Sequence, residues 1–430
     1  MQKIGFVSLG CSKNLVDTEK LIGLLKKNKY EIVNDSAQAD IIIVNTCGFI
    51  NDAKEESINT LLEMADYKKK RCKYLIAIGC LAKRYKEKLI KIMPEVDLFI
   101  GPDEYDNISN ILNNLLKEDN IKGCMKDIDR VLATPDYMAY IKIAEGCNNK
   151  CTYCAIPYIR GKYISRKMED IIVEAKKLYK KGVKEIILVA QDTSKYGMDI
   201  YGKEALPELL QKISKIGFTW IRFLYTYPEN VTEELINVVK KNKNICPYFD
   251  IPIQHISNPV LRKMGRKSNK STIESVIQKI RNQIPNSIIR TTLIVGFPGE
   301  TEDDFNELYN FVKKIGFDRL GVFKYSKEDN TPAAKISGHI HPKTKQKRYN
   351  EIMNLQQEIS LYNNKNKVGK EYEMLIEDIK GKKVYGRTYM DAPEIDGFII
   401  CDIVDKVKIG TFVKIRIITA NEYDLKGEII

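Results

Sequence analysis

No run of apolar residues approaches the roughly 20 that cross a bilayer, so a membrane-spanning protein is not expected. The strand-like Lys3-Ile4-Gly5-Phe6-Val7 follows Met1 where a secretory leader would carry its apolar stretch, and a cytoplasmic protein with no membrane partner is expected. Only three histidines are present, His255, His339 and His341, and none lies near a cysteine cluster. No internal repeat relates one part of the chain to another.

What the chain does contain is cysteine and positive charge. Ten cysteines in a reducing compartment are poor candidates for disulfides, and metal binding or catalysis is the better reading of any clustered subset. Lys plus Arg number 70 against 57 Asp plus Glu, a formal net charge of +13. That balance suits an anionic partner or ribosomal surroundings, although lysine is spread through the whole chain. With 430 residues, 43% hydrophobic and 30% charged, the protein should be globular and divide into two or three domains.

The first part, 1–116, alternates β-branched runs with amphipathic stretches. Strands are expected at 3–9, 40–45, 74–78 and 97–100, and helices at 15–28, 53–64 and 85–93. Residues 41–44 are apolar on both faces, as a buried parallel strand should be, so this is a small doubly wound parallel α/β domain. The polar stretch 117–134 reads as a linker. The second part, 133–365, carries six strand-like runs at 140–144, 185–190, 220–225, 248–253, 288–295 and 320–325. Each is followed by a helical pattern, which predicts a complete or partial parallel (β/α)6 barrel, and a helix over 344–364 ends it. In the last part, 366–430, runs at 372–377, 384–388, 397–403 and 412–419 lie between Gly-containing turns and predict a small antiparallel β-barrel or sandwich.

Cys147-x3-Cys151-x2-Cys154 places three cysteines within eight residues, just past the first barrel strand. Three thiolates hold three irons of a 4Fe–4S cubane and leave the fourth without a protein ligand. The amino and carboxylate groups of S-adenosylmethionine could chelate that iron, and an electron from the cluster could then cleave the sulfonium. A zinc site would want a fourth Cys or His nearby, and Cys124 and Cys246 are the next cysteines on either side. Cys11, Cys47 and Cys80 each lie just past the end of an expected parallel strand, where an open α/β sheet forms its crevice. They could hold a second cluster, or they could be small apolar core residues. Tyr153 could pack on the cofactor or line a core. Gly296, in Gly296-Phe297-Pro298-Gly299-Glu300, could let backbone approach a ligand or merely form a tight turn. Gln191 and Asp192 end the second barrel strand and are candidates for polar contacts. Arg160, Arg166 and His255 lie near the same face, where each could grip the substrate or be an ordinary surface or packing residue.

The cysteine motif with Tyr153 resembles the radical S-adenosylmethionine superfamily. The upstream cysteines, the six-unit barrel and the β tail look like its methylthiotransferases, with a methylthiotransferase N-terminal domain, a radical-SAM barrel and a TRAM-like β domain covering essentially the whole chain. Gly10-Cys11-Ser12-Lys13-Asn14, Gln191-Asp192-Thr193-Ser194, Trp220 to Tyr225 and Asp250-Ile251-Pro252-Ile253-Gln254-His255 look like the RimO branch. The tRNA-modifying MiaB branch usually opens with a Gly-Cys-Gln-Met-Asn-like run. The resemblance implies two 4Fe–4S clusters, the second on Cys11, Cys47 and Cys80, with S-adenosylmethionine used twice: once to methylate a sulfur at the auxiliary cluster and once as the radical source. It implies methylthiolation of the β-carbon of an aspartate in a small-subunit ribosomal protein, with a reductant such as flavodoxin or ferredoxin and a sulfur donor the sequence does not name. The charge split agrees: 366–430 holds 11 Lys plus Arg against 12 Asp plus Glu, net −1, which leaves +14 on the rest. A β domain that gripped tRNA should be basic. A tRNA adenosine methylthiotransferase, a radical enzyme for a small molecule and an electron carrier are the alternatives.

Overall fold

The computed structural model describes residues 2–118, 120–125, 128–403 and 407–430. Near the N-terminus, β1 (Lys3–Ser8), β2 (Glu31–Val33), β3 (Ile41–Thr46), β4 (Tyr74–Gly79) and β5 (Leu98–Ile100) form one parallel sheet in the order β2-β1-β3-β4-β5. The chain reverses its winding between β1 and β3, so their carboxyl ends splay apart and open a crevice. Ile41 and Ile43 of β3 pack with α1 (Ser12–Lys27) on one face. Ile42 and Val44 pack on the other, with α2 (Asn51–Ala65) and α3 (Cys80–Ile92). α4 (Ile108–Leu116) completes the α1 layer. Of the stretch 117–134, residues 119, 126 and 127 lie outside the described residues. The polar composition of the remainder hides apolar anchors: Ile121 and Met125 are buried in the α1 layer, and Arg130 pairs with Glu19 of α1 at 2.8 Å.

The central part is built from β6 (Met138–Lys142), a short ribbon of β7 (Ala144–Glu145) with β8 (Ile164–Ser165), and then β9 (Glu185–Val189), β10 (Trp220–Phe223), β11 (Tyr248–Asp250), β12 (Ile288–Val295) and β13 (Arg319–Lys324). β6, β9 and β10 form one parallel sheet and β11, β12 and β13 a second. Hydrogen bonds from Ile221 N to Asn244 O (2.8 Å) and from Thr226 N to Asp250 O (3.0 Å) join them edge to edge. Among the described residues β6 and β13 do not pair, so the barrel is partial.

The period-2 alternation of each strand sorts its side chains. Ile186, Leu188, Ile221, Phe223 and Leu293 point outward onto the helical layer. α5 (Ile156–Arg160) packs instead against Cys80 of α3, and the layer comprises α6 (Met168–Lys180), α7 (Leu206–Ser214), α8 (Glu233–Lys241), α9 (Asn258–Lys263), α10 (Lys270–Gln283), α11 (Glu302–Ile315) and α12 (Pro342–Lys365). Met138, Tyr140, Ile187, Val189, Trp220 and Tyr248 point into the lumen, where they meet Val16 of α1 and Leu375, Met390 and Ala392 of the C-terminal part.

That part is a closed barrel of β14 (Glu371–Lys380), β15 (Lys383–Arg387), β16 (Ile399–Asp402), β17 (Phe412–Ala420) and β18 (Leu425–Ile429), in the order β14-β15-β16-β18-β17. Its pairings are antiparallel except β16 with β18, which is parallel. The chain between β15 and β16 enters the lumen from below. There Arg222 donates to the carbonyls of Tyr389 (2.6 Å) and Thr388 (3.0 Å). No helix among the described residues is long and apolar enough to cross a membrane.

Candidate active site

Cys147, Cys151 and Cys154 occupy the loop between β7 and α5, at the carboxyl end of the barrel. Gly146 turns the chain into this loop at φ +72°, where an added Cβ would lie 2.1 Å from Lys162 O. Only glycine fits. The Asn149 N–H points at Cys147 Sγ (3.4 Å), and the Tyr227 hydroxyl lies 3.6 Å from Cys151 Sγ. Arg266 stacks 4.2 Å from the Tyr227 ring centroid, with Nη1 4.0 Å from the same sulfur. Burial pushes the Cys147 thiol up, and burial pushes Cys154 up to about 12, with Cys151 and Cys147 adding to it. A cavity of about 330 Å³ opens beside Cys151, between Asn149, Lys150, Tyr227, Glu229 and Arg266.

The second set comes from three separate strand ends. Cys11 follows β1 and caps α1, Cys47 follows β3, and Cys80 follows β4 as the first residue of α3. The first two flank the crevice where the winding reverses. Gly10 (φ +83°) lets them approach, because a Cβ there would sit 2.8 Å from Cys47 Cβ. Burial opposes ionisation of Cys11, but Lys13, Arg160 and the backbone N–H groups of Asn14 and Lys13 outweigh it, and the thiol falls below its ordinary value. Burial pushes Cys47 up to about 11, with Cys80 and Cys11 adding to it. Burial also raises Cys80.

One buried polar cluster joins the two sets. Arg160 of α5 donates to Asp17 (3.1 Å), to Glu145 (2.9 Å) and to Asn14 Oδ1, which lies 3.8 Å from Cys80 Sγ. Lys142 pairs with Asp17 and with Glu145. Ala155 and Ile159, just past Cys154, pack against Cys80. Farther along the same seam, Arg84 and Lys54 both reach Glu328 at 2.8 Å. The cysteine sets thus face each other across the seam between the two domains.

Among the described residues, no three His, Cys, Asp or Glu side chains gather around a single-ion position. Ligands of a cubane each hold a different iron and stand farther apart than the ligands of one ion. Buried thiols at the end of a barrel strand, beside a cavity and an unfilled acceptor, fit a 4Fe–4S cluster with a small polar co-substrate. The acceptor is Gln191. Its amide donates to Glu145 (3.0 Å), while its Oε1 is buried without a hydrogen-bond partner.

The other expected site residues separate into two groups. Tyr153 packs with Val260, Met264 and Phe297 behind the cysteine loop. Asp192 is buried and accepts from Asn149 at 2.8 Å, which ties the second strand to the loop. Gly296 lies under the side chain of Lys345, and its turn is held by Glu300, which accepts from Phe297 N at 2.9 Å. Arg166 pairs with Glu174 (2.6 Å) at the foot of α6. His255 is fully buried; burial, with only partial relief from Asp304, brings it down to about 3, so it is a neutral core group rather than an acid–base residue of the mouth. Sequence reasoning missed Lys13, Asn149, Tyr227 and Arg266. Asn149 lies inside the motif and Lys13 two residues past Cys11, so proximity could have flagged both. Tyr227 and Arg266 arrive from distant loops and carry no local signal.

Residues 3–101 match the uncharacterized protein family UPF0004, 141–312 the radical SAM superfamily and 368–430 the TRAM domain. The chain is 57% identical to ribosomal protein uS12 methylthiotransferase RimO of Alkaliphilus oremlandii, over 99% of this chain and 98% of that one. The chain belongs to the RimO family. The RimO of Clostridioides difficile is 52% identical over 100% of this chain and 99% of its own. Among solved structures, the radical S-adenosylmethionine methyltransferase TsrM of Kitasatospora setae, with cobalamin and a [4Fe-4S] cluster bound, superposes with a TM-score of 0.59. It is 13% identical and covers 77% of each chain, a likeness of fold alone. Radical SAM enzymes use a 4Fe–4S cluster and S-adenosylmethionine, and the matched range 141–312 contains Cys147, Cys151 and Cys154.

Proposed function

We propose that this chain methylthiolates the β-carbon of an aspartate in ribosomal protein uS12. In this reading Cys147, Cys151 and Cys154 hold the cluster that engages S-adenosylmethionine, and Cys11, Cys47 and Cys80 hold a second 4Fe–4S cluster. The observation that carries it is the facing of the two cysteine sets across the Asn14–Arg160–Glu145 seam. A carbon without an acidic hydrogen needs a radical step and a sulfur source in one enclosure. The bound cofactors supply that chemistry, as reductive cleavage of the sulfonium and delivery of the methylthio group.

The chain's own residues supply position and exclusion of water. Gln191 Oε1 offers a buried acceptor to the co-substrate, Tyr153 backs the cysteine loop, and the Gly296 turn closes the wall behind it. Asn149 is held from both sides, by Asp192 (2.8 Å) and Lys195 (3.0 Å), which fixes the loop against the second strand. Exposed Lys150 and Lys267 beside the cavity suit an acidic electron carrier such as flavodoxin or ferredoxin. The −1 charge of the C-terminal barrel favours a basic protein over tRNA as the docked substrate.

Mass spectrometry of uS12 and of tRNA from cells lacking this protein tests the reading. uS12 is expected to lose the mass of one methylthio group, with tRNA nucleosides unchanged. Loss of a methylthio nucleoside with intact uS12 would transfer the protein to the tRNA-modifying branch.

A further inference from the structure

The first turn of α1 carries a cation that the fold does not neutralise. Lys13 is only 8% exposed. Its ammonium forms no ion pair and no hydrogen bond among the described residues, and rests 3.6 Å from the centroid of the Tyr225 ring. Its neighbours Lys142 and Arg160 each have Asp17 and Glu145, and Arg130 has Glu19; Arg266, at the Cys151 loop, also lacks a carboxylate but donates to the carbonyl of Pro252 at 2.8 Å, a hydrogen bond that Lys13 does not have. An aromatic face offsets only part of the cost of burying an ammonium.

The support beneath Lys13 is built. Tyr225 follows β10 at φ +65°, a conformation that a tyrosine rarely adopts, and Asp250 Oδ2 holds its N–H at 2.9 Å. Lys13 itself stands two residues past Cys11, and its ammonium reaches Tyr225 just beyond the carboxyl end of β10. The ammonium therefore bridges the strand end that carries Cys11 to the carboxyl end of β10, the barrel face on which the Cys147–Cys154 loop also lies.

The reacting carbon of an aspartate is bonded directly to its carboxylate. We infer that Lys13 grips the carboxylate of the substrate aspartate, so that the site reads Asp rather than Asn and holds the β-carbon between the two cysteine sets. This rests on the proposed function, and gives that function a specificity-determining residue in the N-terminal domain rather than in the barrel.

The test uses the anaerobic holoenzyme and two peptides spanning the modified loop of uS12, one with the target Asp and one with Asn in its place. Affinity and methylthio product are measured for wild type, Lys13→Met and Lys13→Arg. Wild type should bind the Asp peptide about 30-fold or more tighter than the Asn peptide, the range for a buried charge pair losing one partner. Lys13→Met should bring the ratio near one, and Lys13→Arg should keep most of it. An unchanged ratio in Lys13→Met, or an equal loss of both peptides, overturns the inference. Should Lys13→Met not retain its iron, the wild-type ratio and Lys13→Arg decide, and a wild-type ratio near one is fatal. Methylthio product on the Asp peptide with wild type keeps the functional reading whatever the variants do, and its absence sinks both.

Discussion

The two ends of the central barrel handle buried charge in opposite ways. At the base each buried arginine faces a carboxylate. Glu185 lies between Arg222 (2.5 Å) and Arg387 (2.6 Å), Arg387 also meets Glu377 (2.7 Å), and Arg319 meets Asp391 (2.5 Å). These pairs fasten the C-terminal barrel into the lumen. At the mouth the Asp17–Lys142–Glu145–Arg160 cluster is also paired, yet Lys13 and Arg266 have no carboxylate partner among the described residues and Gln191 Oε1 no donor. The paired arginines at the base are architecture, and Lys367 beside them is held by Asn364 at 2.7 Å rather than by a carboxylate. Open valence at the mouth, beside six cysteines, is capacity to bind.

The comparison breaks most easily at the base. Glu185→Gln leaves two fully buried guanidinium groups short of a counter-charge and should destabilise the protein by about 3–5 kcal/mol, read from anaerobic denaturant unfolding. Iron content should not change, because Glu185 begins β9 at the end away from the cysteines. A loss of iron with little change in stability would show that base and mouth are not separate. At the mouth the effect on stability should be smaller and the effect on binding larger. Gln191→Leu removes an acceptor that nothing in the fold satisfies. Unfolding of the protein without ligand should shift by about 2 kcal/mol, the worth of the lost hydrogen bond to the Glu145 carboxylate, while S-adenosylmethionine binding, followed by equilibrium dialysis, weakens by about tenfold, the worth of one hydrogen bond. Unchanged binding would return Gln191 to the ranks of packing residues.

The two cysteine sets differ in how far the sequence reveals them. Cys147, Cys151 and Cys154 share one loop, so spacing alone exposes them. Cys11, Cys47 and Cys80 lie far apart in the chain and converge only because parallel strands end on one edge. Recognising the strands is enough to place them on one edge, and the ligand role proposed for them rests on the family likeness. The short β2 escaped notice because three residues carry no period. β18 did so because Gly427 interrupts its alternation. The lumen arm around Thr388–Asp396 reads as a polar turn, and its burial depends on Arg222, Arg319 and Tyr248 waiting inside the barrel. Arg266 and Tyr227 reach Cys151 from loops more than 70 residues downstream, a juxtaposition no local pattern encodes.

The most direct measurement is the iron and sulfide content, with 5′-deoxyadenosine release, of two triple alanine variants reconstituted without oxygen. Replacing Cys147, Cys151 and Cys154 should remove about half the iron and all 5′-deoxyadenosine release. Replacing Cys11, Cys47 and Cys80 should remove the other half and spare that release, while no methylthio product forms. Full iron in the second variant, or continued 5′-deoxyadenosine release in the first, would contradict the account.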